Sequence, residues 1–278
     1  MISTIYPCLW FDGKAKEAAD FYCSVFTDSK ITSENPMVVL FEINGKKIMG
    51  LNGGPYHTFT PAISLFVNCE SIDETNEVWS KLIEGGSAMM EINEYPWSKR
   101  YGWLKDKYGM TWQISVAGNG DTGRKITPSM LFTDQLFGKA EEAIQFYSPL
   151  FDNSSTDVLI KYPEGDPNAG KVMFSEFRLN NYPLIAMDGP GNHNYTFNEA
   201  VSFVVNCETQ EEIDHLWNTF AKEGREDRCG WVKDKFGVSW QIVPAILGKL
   251  MGDADKAPRV VEAFMKMKKF SIQELLDA

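Results

Sequence analysis

Gly102-Trp103-Leu104-Lys105-Asp106-Lys107-Tyr108-Gly109-Met110-Thr111-Trp112-Gln113-Ile114 returns 128 positions later as Gly230-Trp231-Val232-Lys233-Asp234-Lys235-Phe236-Gly237-Val238-Ser239-Trp240-Gln241-Ile242. Self-similarity on this scale marks a duplicated structural unit. Further pairs lie upstream. Gly13-Lys14-Ala15-Lys16-Glu17-Ala18-Ala19-Asp20-Phe21-Tyr22 returns as Gly138-Lys139-Ala140-Glu141-Glu142-Ala143-Ile144-Gln145-Phe146-Tyr147, and Ser64-Leu65-Phe66-Val67-Asn68-Cys69-Glu70 as Ser202-Phe203-Val204-Val205-Asn206-Cys207-Glu208. The offsets change along the chain. The second half gains residues around Tyr162 to Lys171 and loses them where the first has Met89 to Arg100, so insertions fall in loops.

Within each copy the hydrophobic pattern alternates between two periods. Ile5 to Phe11 is β-rich; then Ala18, Phe21, Tyr22 and Val25 follow at i, i+3, i+4 and i+7, one face of an amphipathic helix. Val38 to Ile43 and Lys47 to Met49 flank Asn44-Gly45, a hairpin turn signal. Ala62 to Val67 is a strand, and Ser71-Ile72-Asp73-Glu74 opens a second helix as a capping box. The repeated closing motif is a hairpin around Tyr108-Gly109. Each half thus reads as two βαβββ modules, an α+β fold in tandem: 1–117 and 128–244, with a linker at 118–127 and a helical tail at 245–278. The linker carries a formal GxGxxG pattern at Gly118 to Gly123. No helix follows it, as a phosphate-binding turn would require, so it reads as a connection. In the tail, Val260, Val261, Phe264 and Met265 form an apolar stripe, expected to lie against the body or a second subunit.

Composition narrows the function. The 278 residues hold 27 basic and 38 acidic side chains, a net charge of −11. A nucleic-acid partner needs a basic face, and no Lys/Arg cluster supplies one. No apolar run approaches the ~18–20 residues of a membrane span, and the N-terminus lacks a signal-peptide pattern. Five cysteines, Cys8, Cys23, Cys69, Cys207 and Cys229, are odd in number and without CxxC spacing, which points to reduced thiols in a cytoplasmic protein.

The helix pattern and the closing motif together resemble the PhnB-like branch of the glyoxalase/bleomycin-resistance/dioxygenase (vicinal oxygen chelate) superfamily, whose members often carry the label 3-demethylubiquinone-9 3-methyltransferase. The resemblance implies glyoxalase-like domains whose sheets curl around a cavity. In the metal enzymes of that superfamily it implies a divalent metal held by His, Gln or Glu on several strands. By strand position the matching residues here are Pro7 or Cys8, Met49 or Gly50, Ala62 and Gln113, then Pro128 or Ser129, Ala186 or Met187, Ala200 and Gln241. Pro and Ala offer no side-chain donor, so no metal and no other cofactor is expected.

Two further sets of residues are candidates for ligand contact. By alternation, Thr111 and Gln113, and likewise Ser239 and Gln241, face away from the helices, beside Trp103 and Trp231. Polar recognition in an aromatic pocket and plain structural hydrogen bonding suit these residues equally. His57 and His193 follow the glycine-rich turns Asn52-Gly53-Gly54-Pro55 and Asp188-Gly189-Pro190-Gly191, at the expected cavity rims. The leading expectation is a metal-free small-molecule binding protein with one pocket in each half. The alternatives are an enzyme of the same superfamily (a metal-assisted lyase, isomerase or dioxygenase, or the labelled methyl transfer) and an assembly scaffold; a homodimer is the assembly considered.

Overall fold

A computed structural model describes residues 4–118 and 125–278. The glycine pattern of the linker lies, from residue 119 to its end, outside the described residues. The first module runs β1 (Thr4–Phe11), α1 (Ala15–Val25), β2 (Ser29–Glu34), β3 (Val38–Ile43) and β4 (Lys46–Asn52). The second is β5 (Ile63–Cys69), α2 (Ile72–Leu82), β6 (Ser87–Tyr95), β7 (Ser98–Lys105) and β8 (Thr111–Val116). The third is β9 (Lys125–Phe132), α3 (Ala140–Tyr147), β10 (Ser155–Lys161), β11 (Val172–Leu179) and β12 (Tyr182–Asp188). The fourth is β13 (Val201–Cys207), α4 (Gln210–Ala221), β14 (Arg225–Glu226), β15 (Trp231–Lys233) and β16 (Ser239–Pro244), followed by α5 (Leu247–Met251), α6 (Ala257–Phe264) and α7 (Ile272–Asp277).

Local chemistry accounts for these elements. The β3–β4 turn uses Asn44 and Gly45 at φ 48° and 68°, the left-handed pair that a tight hairpin needs. Ser71 Oγ accepts from Glu74 N at the start of α2, and at α4 Thr209 and Glu212 form the complete capping box. On α1, Ala18, Tyr22 and Val25 are buried, as the period predicts. The edge strands β2, β6 and β10 carry weaker patterns. Their burial is low and their pairing includes irregular registers, so alternation alone does not reveal them.

The sheets do not divide where the repeat divides. One has the order β14-β15-β16-β13-β1-β4-β3-β2, the other β10-β11-β12-β9-β5-β8-β7-β6. The first module therefore shares a sheet with the fourth, and the second with the third. The seams are antiparallel ladders, Thr4 to Leu9 against Asn206 to Val201 and Ile63 to Asn68 against Met130 to Lys125. The halves read from the repeat, 1–117 and 128–244, therefore do not coincide with the two sheets. The sequence repeat records the order of modules, whereas strand pairing depends on which edges meet.

The two modules of one half are joined by something else. Asp106, at the β7–β8 turn, accepts hydrogen bonds from Tyr22 Oη (2.8 Å) on α1, from Trp112 Nε1 (2.8 Å), and from the backbone N–H of Tyr108 (2.8 Å) and Met110 (3.0 Å). Asp234 repeats this with Tyr147 Oη (2.6 Å) on α3, Trp240 Nε1 (2.8 Å), Phe236 N (2.9 Å) and Val238 N (3.1 Å). Helices and the helix-facing sides of both sheets merge into one core, with Trp112, Trp217 and Trp240 among its fully buried side chains. The other face of each sheet lies outside that core.

The tail packs on the body. Cys229 N donates to Met267 O and Gly230 N to Lys268 O, while Gln210 Nε2 donates to Phe270 O. Gly230 has no room for a Cβ, because the Phe270 ring would lie 2.4 Å from it. Of the apolar stripe, Val260 is buried and Phe264 half-buried, but Met265 stays 54% exposed.

Two outcomes are expected. If the chain is cut between residues 119 and 124, the two fragments should co-purify as a 1:1 complex, because each supplies half of both sheets; two separately folded monomers on size exclusion would contradict the topology. Burial raises the Asp234 carboxyl to about 6 despite its four donors, from an ordinary value of 3.8. Its contribution is then full below about pH 4 and is lost as pH rises through about 6. A shift of this size corresponds to about 3 kcal/mol. The stability gap between the native protein and Asp234→Asn should therefore narrow on going from pH 4.5 to pH 7.5 in denaturant titrations.

Candidate functional site

Strand alternation decides which side chains leave the core. On β5 and β8, Leu65, Val67, Trp112 and Ile114 join the core, so Ser64, Phe66, Thr111 and Gln113 face the other way. On β9 the same side carries Ser129, paired in register with Ser64. These residues meet. Gln113 Nε2 donates to Ser64 Oγ at 2.7 Å and to Ser129 Oγ at 3.4 Å, and Tyr101 Oη donates to Gln113 Oε1 at 2.7 Å. Gln113 is only 3% exposed. Tyr101 is also the hub of an aromatic group, with the rings of Tyr95 at 5.7 Å, Trp97 at 5.8 Å and Phe66 at 6.3 Å. Trp103 stands opposite Gln113 in the β7–β8 register, and its buried Nε1 has no hydrogen-bond partner among the described residues. Thr111 Oγ1 makes only a long bond, 3.5 Å, to Ile63 O.

The first sheet repeats the cluster with altered chemistry. Gln241 Nε2 donates to Ser202 Oγ at 3.0 Å, and the buried Cys8 on β1 is paired in register with Ser202. Burial pushes that thiol up to about 12. Trp231 stands opposite Gln241 on β15 and meets Trp10 edge-on at 5.9 Å. Trp10 Nε1 donates to Gly54 O, and its ring fits because Gly53 has no Cβ, which would fall 2.1 Å from it. His57 packs edge-on against Trp10 at 4.8 Å, and its Nδ1 lies 3.5 Å from Glu199 Oε2. Glu199 also accepts from Arg225 Nη2 at 2.7 Å and Lys233 Nζ at 2.9 Å. Burial alone would raise the Glu199 carboxyl, but Lys233 and Arg225 outweigh it and hold the group at about 2.

The structure thus gathers Trp231, Ser239, Gln241 and His57 around one sheet, and Trp103, Thr111 and Gln113 on the other. His193 stays within its own loop: its Nε2 contacts Pro190 O at 3.0 Å and its Nδ1 meets Tyr195 Oη at 3.1 Å. Each cluster draws on both halves, since Gln113 meets Ser129 and Gln241 lies beside Cys8. Sequence reasoning missed Tyr101, Trp10 and Glu199. Tyr101 breaks the repeat, being matched by Cys229, and Glu199 is matched by Pro61, so self-similarity could not flag them. A separate cleft of about 120 Å³, lined by Lys46, Asp157, Arg178 and Ile185 among others, contains none of the expected site residues.

A metal of the kind the resemblance implies does not fit these donors. A divalent site needs several N, O or S ligands converging on one point, with thiols deprotonated. Here the groups are neutral amides and hydroxyls bonded to one another, with one buried thiol beside them. Among the described residues no three His, Cys, Asp or Glu side chains gather to hold an ion, and no helix is long and apolar enough to cross a membrane.

The sequence profile of the 3-demethylubiquinone-9 3-methyltransferase family matches residues 3–115 and 124–243. A PhnB protein from Bacillus cereus is 40% identical over 41% of this chain and 100% of that chain, with a TM-score of 0.39. Glyoxalase I from Zea mays covers 90% of this chain and 97% of its own at 10% identity and a TM-score of 0.59, a likeness of fold alone. No curated protein matches the sequence.

Removing the hydroxyl in Tyr101→Phe leaves Gln113 Oε1 buried without its donor. A lost partner of this kind costs about 1–3 kcal/mol, so the variant should unfold at lower urea; an unchanged midpoint would show that the Tyr101–Gln113 bond contributes nothing.

Proposed function

This chain belongs to the 3-demethylubiquinone-9 3-methyltransferase family, and we propose that within it the protein is a metal-independent binding protein for a small aromatic or amphipathic molecule, held on the helix-free faces of its sheets. The observation that carries this reading is the chemistry found at the strand positions where the resemblance implies metal ligands. Of those positions only Gln113, Gln241 and Ser129 carry an amide or a hydroxyl, the rest being Pro, Ala, Gly, Met or Cys, and a tryptophan stands opposite each glutamine in register. Small-molecule sites are built in this way, from apolar and aromatic walls with a few placed polar groups. A ring buried against Trp231 or Trp103 removes apolar area from water, worth roughly 25 cal/mol per Å². The amides and hydroxyls then orient it.

The Glu199 network suits such a role at the rim of the first sheet. Its two cations, Arg225 and Lys233, are balanced by two carboxylates, Glu199 and Asp227, so the network holds the loop that carries His57 and does not attract anions to the face.

Two measurements test the reading together. Elemental analysis of purified protein should find no stoichiometric zinc, nickel, iron or manganese. Titration with N-phenyl-1-naphthylamine, an uncharged aromatic probe, should quench tryptophan emission and saturate. One tightly held equivalent of metal would favour the metal-assisted enzyme instead, and an absence of saturable quenching would remove the binding role.

A further inference from the structure

Among the differences between the two outer faces is the partner of one acceptor atom. On the second sheet, Tyr101 Oη fills Gln113 Oε1, and the β6–β7 hairpin lays Tyr95 and Trp97 beside Tyr101. On the first sheet the residue matched to Tyr101 is Cys229, and it cannot do the same. The chain turns there with φ 56°, Cys229 N is held by Met267 O, and its Sγ points to Met265 Sδ at 3.8 Å. The strands that would cover this face are shortened, β14 to two residues and β15 to three, against nine and eight for β6 and β7. Among the described residues no donor reaches Gln241 Oε1; the amide Nε2 donates to Ser202 Oγ.

A second orphan lies on the same face. Ser239, two residues before Gln241 on β16, is 1% exposed, and its Oγ has no hydrogen-bond partner among the described residues. A buried hydroxyl left unpaired costs free energy, so such a group in a native structure calls for a partner. Residues i and i+2 on one face of a strand are about 7 Å apart, roughly the width of a planar ring system. Trp231 flanks Gln241 in register, and Trp10 meets Trp231 edge-on; both are half-buried. The cations on this side are already engaged, Lys233 by Glu199 and Lys47 over the Tyr6 ring at 4.2 Å.

We propose that only the first sheet's face takes a ligand, and that this ligand is an uncharged planar aromatic molecule that donates an N–H or O–H to Gln241 Oε1, packs against Trp231, and presents a second polar atom to Ser239 Oγ. The proposal rests on the binding reading above and narrows it to one face and one chemical class. On the second face Tyr101 already fills the glutamine acceptor, and the buried group left unpaired there, Trp103 Nε1, is a donor and not an acceptor. The duplication has therefore produced two copies of the same glutamine cluster, one with its amide acceptor filled and one with it unfilled.

Calorimetric titration of the intact protein with indole, and in parallel with 1-methylindole, tests this. The two probes share the ring and differ in the N–H donor. Indole should bind with one equivalent, and 1-methylindole at least about tenfold more weakly, the expected effect of one lost hydrogen bond in a buried site. This comparison is made in the unmutated protein and does not depend on a variant folding. Gln241→Met should weaken indole by a similar factor and leave 1-methylindole unchanged. Tyr101→Ala should uncover Gln113 and raise the indole stoichiometry towards two. Equal affinity for the two probes, two equivalents bound by the unmutated protein, or indole binding indifferent to Gln241→Met would each overturn the proposal. Saturable N-phenyl-1-naphthylamine binding alongside any of these results would leave the general binding role standing; no binding of any of the three probes would end both.

Discussion

The fold depends on two buried carboxylates. Asp106 and Asp234 each take four donors, two from aromatic side chains and two from their own turn. An acidic group is removed from water only where hydrogen bonds replace its hydration. Here the replacement also does architectural work. The tyrosine comes from the first helix of one module and the tryptophan from the last strand of the next. One carboxylate therefore fixes how two βαβββ units lie against each other. Burial still wins the electrostatic contest, raising both carboxyls above the ordinary range.

The β-ladders supply the complementary connection. They join the first module to the fourth and the second to the third, while the carboxylate nodes join the first to the second and the third to the fourth. Neither half is then structurally self-sufficient. This interlock places the site residues: Ser64 and Gln113 reach Ser129, and Ser202 and Gln241 lie beside Cys8, because the two central strands of each sheet come from different halves of the chain. The two clusters sit at the seams β5–β9 and β1–β13, on the faces the helices leave uncovered.

Duplication left the internal side of the fold nearly symmetric and let the outer faces diverge. The core tryptophans Trp112 and Trp240 and the tyrosines Tyr22 and Tyr147 correspond one to one. The faces differ at Tyr101 against Cys229, at Leu131 against Trp10 and at Pro61 against Glu199. The tail takes part in this divergence. Phe270 lies over Gly230, where on the other sheet the Trp79 ring lies over Gly102, 2.4 Å from where a Cβ would stand. By holding Cys229 away from the sheet, the tail leaves the acceptor of Gln241 open.

The sequence by itself determined the modules, their order, most of the helices, the cap at Ser71, and which of Trp112 and Gln113 faces the helices. These follow from periodicity, turn chemistry and repetition, all local to a few residues. It also placed the glutamines and tryptophans on the outward faces, and the Trp231–Gln241 pairing follows from the hairpin that the repeated motif encodes. It did not reveal the edge strands β2, β6 and β10, whose half-solvated, bulged pairing blurs the alternation. Only the tertiary structure decided which modules share a sheet, because a strand edge carries backbone donors and acceptors that any other edge can satisfy. Only packing across some two hundred residues then selected β1 with β13. The same packing gave Gln113 a tyrosine donor and left Gln241 without one, a difference that lies in a contact between strands and a tail and in no motif.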